Sequence, residues 1–292
     1  MKIHFFILLL FFHFNSVLGQ SGDNAPVVYD QFFKNYFLVN PSINNSDNKF
    51  DVALGNRTLT GLFEGVNRFY VDAKYLFSSK AENRFHSVGL LAMNNKDGEY
   101  ISRSRAYARY SYYTSISEYA SLSAGIALGF INYSFKASPA SGGGNSFSPD
   151  ANIGLWYLRD NFKVGISYQQ ITRPILKPVT QLFQLDPYFN FNIIYKLALQ
   201  ENIELESHLY YRYLPNFPFY FEFSPLLSFY NKLETGLNYR QNRGFAILLG
   251  LKSLAIGNNH FRFLASYLLS TRKLTTMNDG ILEFSFGYSL PK

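Results

Sequence analysis

The 292-residue sequence contains no cysteine, which excludes disulfides, thiolate metal sites and lipid attachment through an N-terminal cysteine. Beyond its first nineteen residues it has no stretch of 18 or more apolar residues, so helical membrane spans are excluded. It also lacks the Gly-x-Ser-x-Gly and His-Glu-x-x-His motifs and a phosphate-cradling glycine loop. Of its five histidines, His4 and His13 fall in a leader, leaving His86, His208 and His260. No Ser–His or Asp–His constellation can be assembled from these, and the expectation is a protein that is not an enzyme and uses no cofactor and no metal. The net charge of +7 invites a nucleic-acid reading. The basic residues are spread along the chain, however, without helix-turn-helix, zinc or basic-helix patterns, so no nucleic-acid partner is expected. A basic lumen, or basic loops facing anionic headgroups, accounts for the charge.

What the sequence does contain begins with an export signal. Lys2 supplies a positive start, Phe5 to Phe14 form a short apolar run, and Val17 and Gly19 occupy the small-residue positions of a cleavage site. Residues 1–19 are therefore read as a signal peptide cleaved before Gln20. Thirty Phe and 23 Tyr stand against a single Trp. That aromatic load suits strands and membrane-interface girdles. Mean hydropathy is just below zero, as expected where each strand averages a lipid face with a polar lumen face.

Alternation carries the fold reading. In the last segment Leu282, Phe284, Phe286, Tyr288 and Leu290 alternate with Glu283, Ser285, Gly287 and Ser289. Side chains on a strand point to opposite faces in turn, so one face is apolar and the other polar. Similar segments lie near 49–59, 66–77, 84–94, 99–113, 119–135, 150–158, 162–171, 187–199, 202–214, 217–230, 232–241, 243–254, 259–270 and 280–290. With no helices to cover the apolar faces, they must meet lipid. The fold class is thus all-β, a transmembrane antiparallel β-barrel of about 14 strands (12–16 as the range) spanning residues 49–292. Long connections at 136–149, 172–187 and 270–280 fall on odd-numbered intervals, as a barrel with both termini in the periplasm requires. Shifting the count by one strand would place long loops on both sides. A soluble exported β-sandwich also alternates, but it would carry fewer aromatics on one face. Residues 20–48 precede the alternation yet contain Phe32, Phe33, Tyr36, Phe37 and Leu38. Such residues are costly in water, so this segment is expected to pack on or in the barrel. The location that follows is the outer membrane of a Gram-negative bacterium, with outer-membrane lipid as a partner.

Candidate site residues are those that the alternation turns away from lipid. Arg103, Arg105 and Arg109 share one parity of the 99–113 segment, where they constrict or bias a pore, or else pair with carboxylates across the lumen. Glu204, Glu206, His208 and Arg212 share the polar face of the 202–214 segment, which is expected of a barrel wall without any catalytic role. In the 172–187 connection, Pro174, Pro178 and Pro187 stiffen a stretch carrying Ile175, Leu176, Val179, Leu182, Phe183 and Leu185. This loop either contacts a partner or folds into the barrel mouth as a plug. Gly142-Gly143-Gly144 precedes no helix signal and reads as a flexible loop.

The order of several motifs has a counterpart in a known family. The segment Tyr29-Asp30-Gln31-Phe32-Phe33-Lys34-Asn35-Tyr36-Phe37-Leu38-Val39-Asn40-Pro41-Ser42 is followed by Arg57 and by Val88-Gly89-Leu90 leading to Asn95-Lys96-Asp97-Gly98. Tyr110-Ser111-Tyr112, Ser121-Leu122-Ser123-Ala124-Gly125, Val164-Gly165-Ile166-Ser167, Gly236-Leu237-Asn238-Tyr239-Arg240 and Glu283 come next. Taken in order, these resemble the PorP/SprF family over nearly the whole mature chain. A Trp that usually follows the first Arg in that family is absent here, since Arg57 precedes Thr58-Leu59-Thr60. The resemblance implies an outer-membrane barrel of Bacteroidota acting as an accessory in type IX secretion, including export of gliding-motility adhesins. The partners it implies are a secreted protein's C-terminal signal domain and the type IX translocon. The alternative left open by the residues themselves is an uptake channel for a small or hydrophobic solute.

Overall fold

A computed structural model describes residues 29–60, 65–78, 84–139, 142–215, 217–241, 243–270 and 280–292. The strands are β1 (Asn48–Leu59), β2 (Asn67–Ser78), β3 (Arg84–Asp97), β4 (Ile101–Ser115), β5 (Ala120–Phe135), β6 (Gly144–Arg159), β7 (Phe162–Gln169) and the two-residue β8 (Ile175–Leu176) and β9 (Phe183–Gln184). They continue with β10 (Tyr188–Gln200), β11 (Ile203–Tyr213), β12 (Tyr220–Phe229), β13 (Leu233–Arg240), β14 (Gly244–Ile256), β15 (Asn259–Ser270) and β16 (Gly280–Pro291). All but β8 and β9 form one closed antiparallel barrel of 14 strands, in which β7 pairs with β10 and β1 closes on β16. Closure gives every strand two neighbours, so the wall exposes no edge to hydrocarbon, where an unpaired backbone group would find no water. The seam runs in register from Leu59 opposite Ile281 to Phe50 opposite Leu290.

The two faces separate as the alternation predicts. Along β16, Phe284 and Phe286 point outward while Glu283, Ser285 and Ser289 are buried inside. On β2, Phe69, Tyr75 and Phe77 are exposed outward, and Tyr70, Asp72 and Lys74 are buried inward. Leu249 at 67% and Leu90 at 66% exposure would be a severe liability in water, and in lipid they are in their natural solvent. Asn48 and Pro291 lie at the same end of the barrel, which also carries the short turns 116–119, 160–161, 201–202, 230–232 and 257–258. Tyr230 and Asn231 both take left-handed φ angles, 51° and 52°, the pair that a tight type I′ hairpin needs. Short turns mark the periplasmic end and the longer 136–143 and 170–187 connections the extracellular one. The connection 271–279, expected to be long, lies outside the described residues, as do residues 1–28 with the expected signal peptide.

One element departs from expectation. β6 begins at Gly144, not near 150, and pairs with β5 from Phe135 opposite Gly144 onward. The expected 136–149 loop therefore shrinks to 136–143, and Gly144 is wall, not loop. The outward residues of this stretch are Asn145, Phe147 and Pro149, and a lone Phe between Asn and Pro makes no apolar stripe to mark the strand. A Cβ on Gly144 would lie 1.7 Å from the carbonyl oxygen of Pro178, so glycine is needed for the 170–187 connection to cross there.

A charge on the outer wall tests the assignment of faces. Leu249→Arg is expected to destabilise the barrel by roughly 2–4 kcal/mol, the cost of a basic side chain near the bilayer midplane. Leu249→Ala should cost far less. Denaturant titration in lipid vesicles measures both, and equal values would place Leu249 off the lipid face.

Candidate functional site

The lumen is occupied by the chain's own N-terminal segment. After Tyr29 the segment forms two short 3-10 turns, Phe32–Lys34 and Tyr36–Leu38, and the Asn35 side chain accepts the Phe37 amide at 3.2 Å to start the second. Short turns of this kind suit a compact segment without the length for a stable helix. Phe32, Phe33, Tyr36 and Val39 pack with Trp156, Leu158, Ile194, Tyr210, Leu226, Leu248 and Leu264. Those wall residues point inward and are apolar, which a water-filled lumen would not favour. The segment covers them, and each aromatic side chain buried this way contributes on the order of 1.5–3 kcal/mol. Tyr36 meets Trp156, the single tryptophan, edge-on with ring centroids 5.1 Å apart, and Phe33 stacks on His208 at 4.8 Å.

Polar contacts fix the register of the segment. The Glu283 carboxylate accepts the backbone amides of Asp30 and Gln31, each at 2.8 Å. Gln31 Nε2 donates to Ser266 Oγ and to the Glu283 carbonyl, both at 2.9 Å, and its Oε1 accepts from Ser285 at 2.5 Å. The Asp30 carboxylate pairs with Arg240 at 2.5 Å and faces Arg57 at 3.6 Å. Arg240 also pairs with Glu222 at 2.8 Å, and Arg57 faces Glu283 at 3.9 Å. Asn238 donates to the Asp30 carbonyl at 2.7 Å. Toward the periplasm Lys34 pairs with Glu234 at 2.5 Å. Farther along, the Val39 carbonyl accepts from Ser167 at 2.5 Å, Asn190 at 2.8 Å and Gln169 at 3.1 Å. Asn40 Nδ2 donates to the wall carbonyls of Ile166 at 3.1 Å and Leu155 at 3.2 Å. Ser111 donates to the Pro41 carbonyl and Ser123 accepts the Ile43 amide, both at 3.1 Å. Gly125 and Gly154 make room for this crossing: a Cβ there would come within 2.6 Å of the Pro41 carbonyl oxygen and 2.0 Å of Asn40 Oδ1.

The residues singled out from the sequence fall into two neighbourhoods of this lumen. Arg109 makes a two-bonded pair with Asp72, and the Phe37 ring lies 3.6 Å from its guanidinium carbon. Arg103 pairs with Asp97 at 2.7 Å. Arg105 lines a cavity of about 40 Å³ together with Phe37, Tyr107, Asn152 and Tyr188, room for a few waters. On β11, Glu204 pairs with Lys252 at 2.6 Å and Glu206 with Lys196 at 3.1 Å. His208 Nδ1 hydrogen-bonds the Tyr36 hydroxyl at 2.8 Å, and Arg212 lies over Tyr220 at 4.7 Å. Carboxylate pairing, rather than a bare basic constriction, therefore describes Arg103 and Arg109. Among the described residues no group of three or more His, Cys, Asp or Glu is placed to hold a metal ion. The set from the sequence omits Arg57, Arg240, Glu222 and Asp30, which form the most deeply buried network.

At the extracellular end, β8 and β9 form a small hairpin with Leu176 opposite Phe183. Leu176 and Leu185 are fully buried against Ile131 and Tyr133 on the inner face of β5, so the loop folds into the mouth. Val179 and Phe183 are half-buried, while Ile175 and Leu182 are 54% and 59% exposed.

The profile of type IX secretion system membrane proteins of the PorP/SprF type matches residues 21–288. The chain belongs to the PorP/SprF family. No curated protein matches it. Among solved structures it is similar to the Ralstonia pickettii toluene transporter TbuX, with a TM-score of 0.59 at 11% identity, covering 85% of this chain and 90% of that one. The Pseudomonas putida toluene transporter TodX gives 0.59 at 10% identity over 85% and 91%. A Pseudomonas aeruginosa FadL homologue gives 0.57 at 7% identity over 84% and 90%. At such identities the likeness is one of fold, that of outer-membrane barrels. The family motifs coincide with the lumen contacts: Gln31, Asn40-Pro41, Arg57, Ser111, Ser123, Gly125, Ser167, Asn238, Arg240 and Glu283 all belong to the segment or touch it.

Removing one partner of the buried network should be far costlier than an exposed change. Arg240→Met leaves Asp30 and Glu222 without their closest cation and is expected to cost about 3–5 kcal/mol. It should also expose residues 29–47 to protease in the assembled barrel. Wild-type stability and protection in this variant would mean that the network does not hold the segment.

Proposed function

We propose that this protein is an accessory barrel of type IX secretion, exported on a cleaved signal peptide, that holds or hands over a secreted partner at the extracellular mouth. The partner in this reading is a protein with a C-terminal signal domain, such as a gliding-related adhesin, and the translocon is its working neighbour. The observation that carries the reading is family membership over residues 21–288. A second observation supports it: many of the lumen-facing polar groups are engaged by residues 29–47, so much of the interior is committed to the chain's own segment. The alternative, a channel for a small hydrophobic solute, draws on resemblance to the toluene transporters, which is a resemblance of fold. Deleting the gene and measuring both surface-protein export and solute uptake separates the two. Lost export with normal uptake is the expected result, and unchanged export with impaired uptake would favour the channel.

Within this reading, the contact surface is the outer side of the mouth hairpin. Its prolines at 174, 178 and 187 are buried and its Leu176 and Leu185 are anchored, so Ile175 and Leu182 are presented on a stiff support. Ile175→Glu with Leu182→Glu is expected to reduce partner capture or export at least severalfold while the barrel still assembles. Heat-modifiable gel migration monitors assembly. Normal export from the assembled double variant would move the contact surface elsewhere, to the periplasmic turns first.

A further inference from the structure

The outer wall is not uniformly convex. Across β4, β5, β6, β7 and β10 it holds an apolar groove of about 530 Å³, within the roughly 300–1,000 Å³ usual for ligand sites. Strand register explains its shape. One row of outward side chains runs Tyr110, Ile126, Ile153, Tyr168, Phe189 across the five strands. The next outward row runs Tyr112, Ala124, Leu155, Ile166. Between them lies an inward row, Ser111, Gly125, Gly154, Ser167, Asn190. Every member of that inward row meets Val39, Asn40, Pro41 or Ser42 of the N-terminal segment. The two glycines let the wall approach the segment, and small Ala124 deepens the outer side. The wall is thus one backbone thick, with the segment behind it and a trough in front.

We propose that this trough is a specific seat for one acyl chain of a periplasmic-leaflet phospholipid. Its place in the membrane selects the occupant. Ala124 and Leu155 lie four residues from the periplasmic strand ends, Ala120 and Arg159. Four residues span about 13 Å of strand, or roughly 10 Å of depth at a 40° tilt. The row of Ile126, Ile153 and Tyr168, six residues from Ala120, Arg159 and Phe162, reaches roughly 15 Å, so the trough runs through the periplasmic leaflet up to the ~15 Å midplane. Phospholipid chains, not lipid A, fill that leaflet. The lining has no charged residue, and the aromatic rings of Tyr110, Tyr112, Tyr168 and Phe189 border a floor of aliphatic side chains. A flexible unbranched chain fills such a slot from end to end and makes dispersion contacts that a convex wall does not offer, whereas an empty slot forfeits them. The seat lies directly over Asn40 and Pro41, so occupancy supports the wall on which the internal segment rests.

Native mass spectrometry of the full-length protein, delipidated in mild detergent and re-exposed to phosphatidylethanolamine or to lipid A, tests this. The expected result is retention of one phosphatidylethanolamine per chain and no lipid A. Ala124→Phe and, separately, Leu155→Trp fill the trough from the lipid side without touching the internal segment. Both should lose the retained lipid while keeping heat-modifiable migration, and Leu249→Phe on the opposite wall should keep it. Three results would overturn the proposal: no lipid retained by the wild type, equal retention by folded Ala124→Phe and Leu155→Trp, or preference for lipid A. A photo-crosslinker at Leu155 that captures a protein in cells in place of phospholipid would also overturn it, and would make the trough a protein seat.

Discussion

Arg57 of β1 and Glu283 of β16 face each other across the seam where the sheet closes, and the rest of the interior is arranged around their burial. An ion removed from water costs several kcal/mol unless its charge and its hydrogen-bonding capacity are both met. The wall alone does not meet them. Asp30 comes between Arg57 and Arg240, Glu222 takes the other side of Arg240, and the amides of Asp30 and Gln31 satisfy Glu283. The N-terminal segment therefore completes the electrostatics of barrel closure. It also staples the strands mechanically, since Gln31 alone bonds β15 through Ser266 and β16 through Ser285.

How much of this was legible in the sequence follows from the range of the interactions. Outward faces obey a two-residue period, a local property, so Phe69 to Phe77 and Leu282 to Leu290 announce their strands and the barrel follows. The start of β6 did not announce itself, because above the bilayer no lipid demands an apolar stripe. The interior is a different problem. Asp30 reaches Glu283 across 253 residues and Asn40 reaches Ile166 across 126. Nothing local in the sequence distinguishes Arg240, which holds the segment, from Arg243, three positions on. A signal was present nonetheless in Leu158, Ile194, Leu226, Leu248 and Leu264, apolar residues at lumen parity. An apolar inner face in a polar barrel asks for a cover, and the aromatic segment after Tyr29 is an apolar stretch outside the strand alternation that can supply it.

Many of the scattered family motifs gain a shared physical meaning from this arrangement. Ser111, Ser123 and Ser167 are short side chains that reach the backbone of residues 39–43 and would overshoot if longer. Gly125 and Gly154 admit Asn40 and Pro41, and Asn238 with Arg240 receives Asp30. Such motifs look unrelated along the chain because adjacent strands bring each to the same internal segment from a different side. Other motif residues serve the wall itself: Asp97 pairs with Arg68 and Arg103 near the mouth, and Tyr110 and Tyr112 face outward.

An interior spent on its own chain constrains where recognition can act. Hydroxyl, amide, guanidinium and carboxylate side chains that would select a solute in an open pore are here bonded to Asp30, Gln31 and Val39, and two wall carbonyls to Asn40. Exchanging them for a solute would require replacing many bonds at once. The mouth hairpin carries no such commitment on its outer side. Leu176 and Leu185 anchor it inward on Ile131 and Tyr133, which leaves Ile175 and Leu182 exposed. Two apolar side chains held by a proline-stiffened hairpin lose little entropy on contact, so a modest apolar surface there binds more effectively than a flexible loop of equal composition. On the secretion reading, the barrel's closed interior and its stiff mouth are one design: the lumen supplies rigidity, and the loop that the lumen wall anchors supplies the contact.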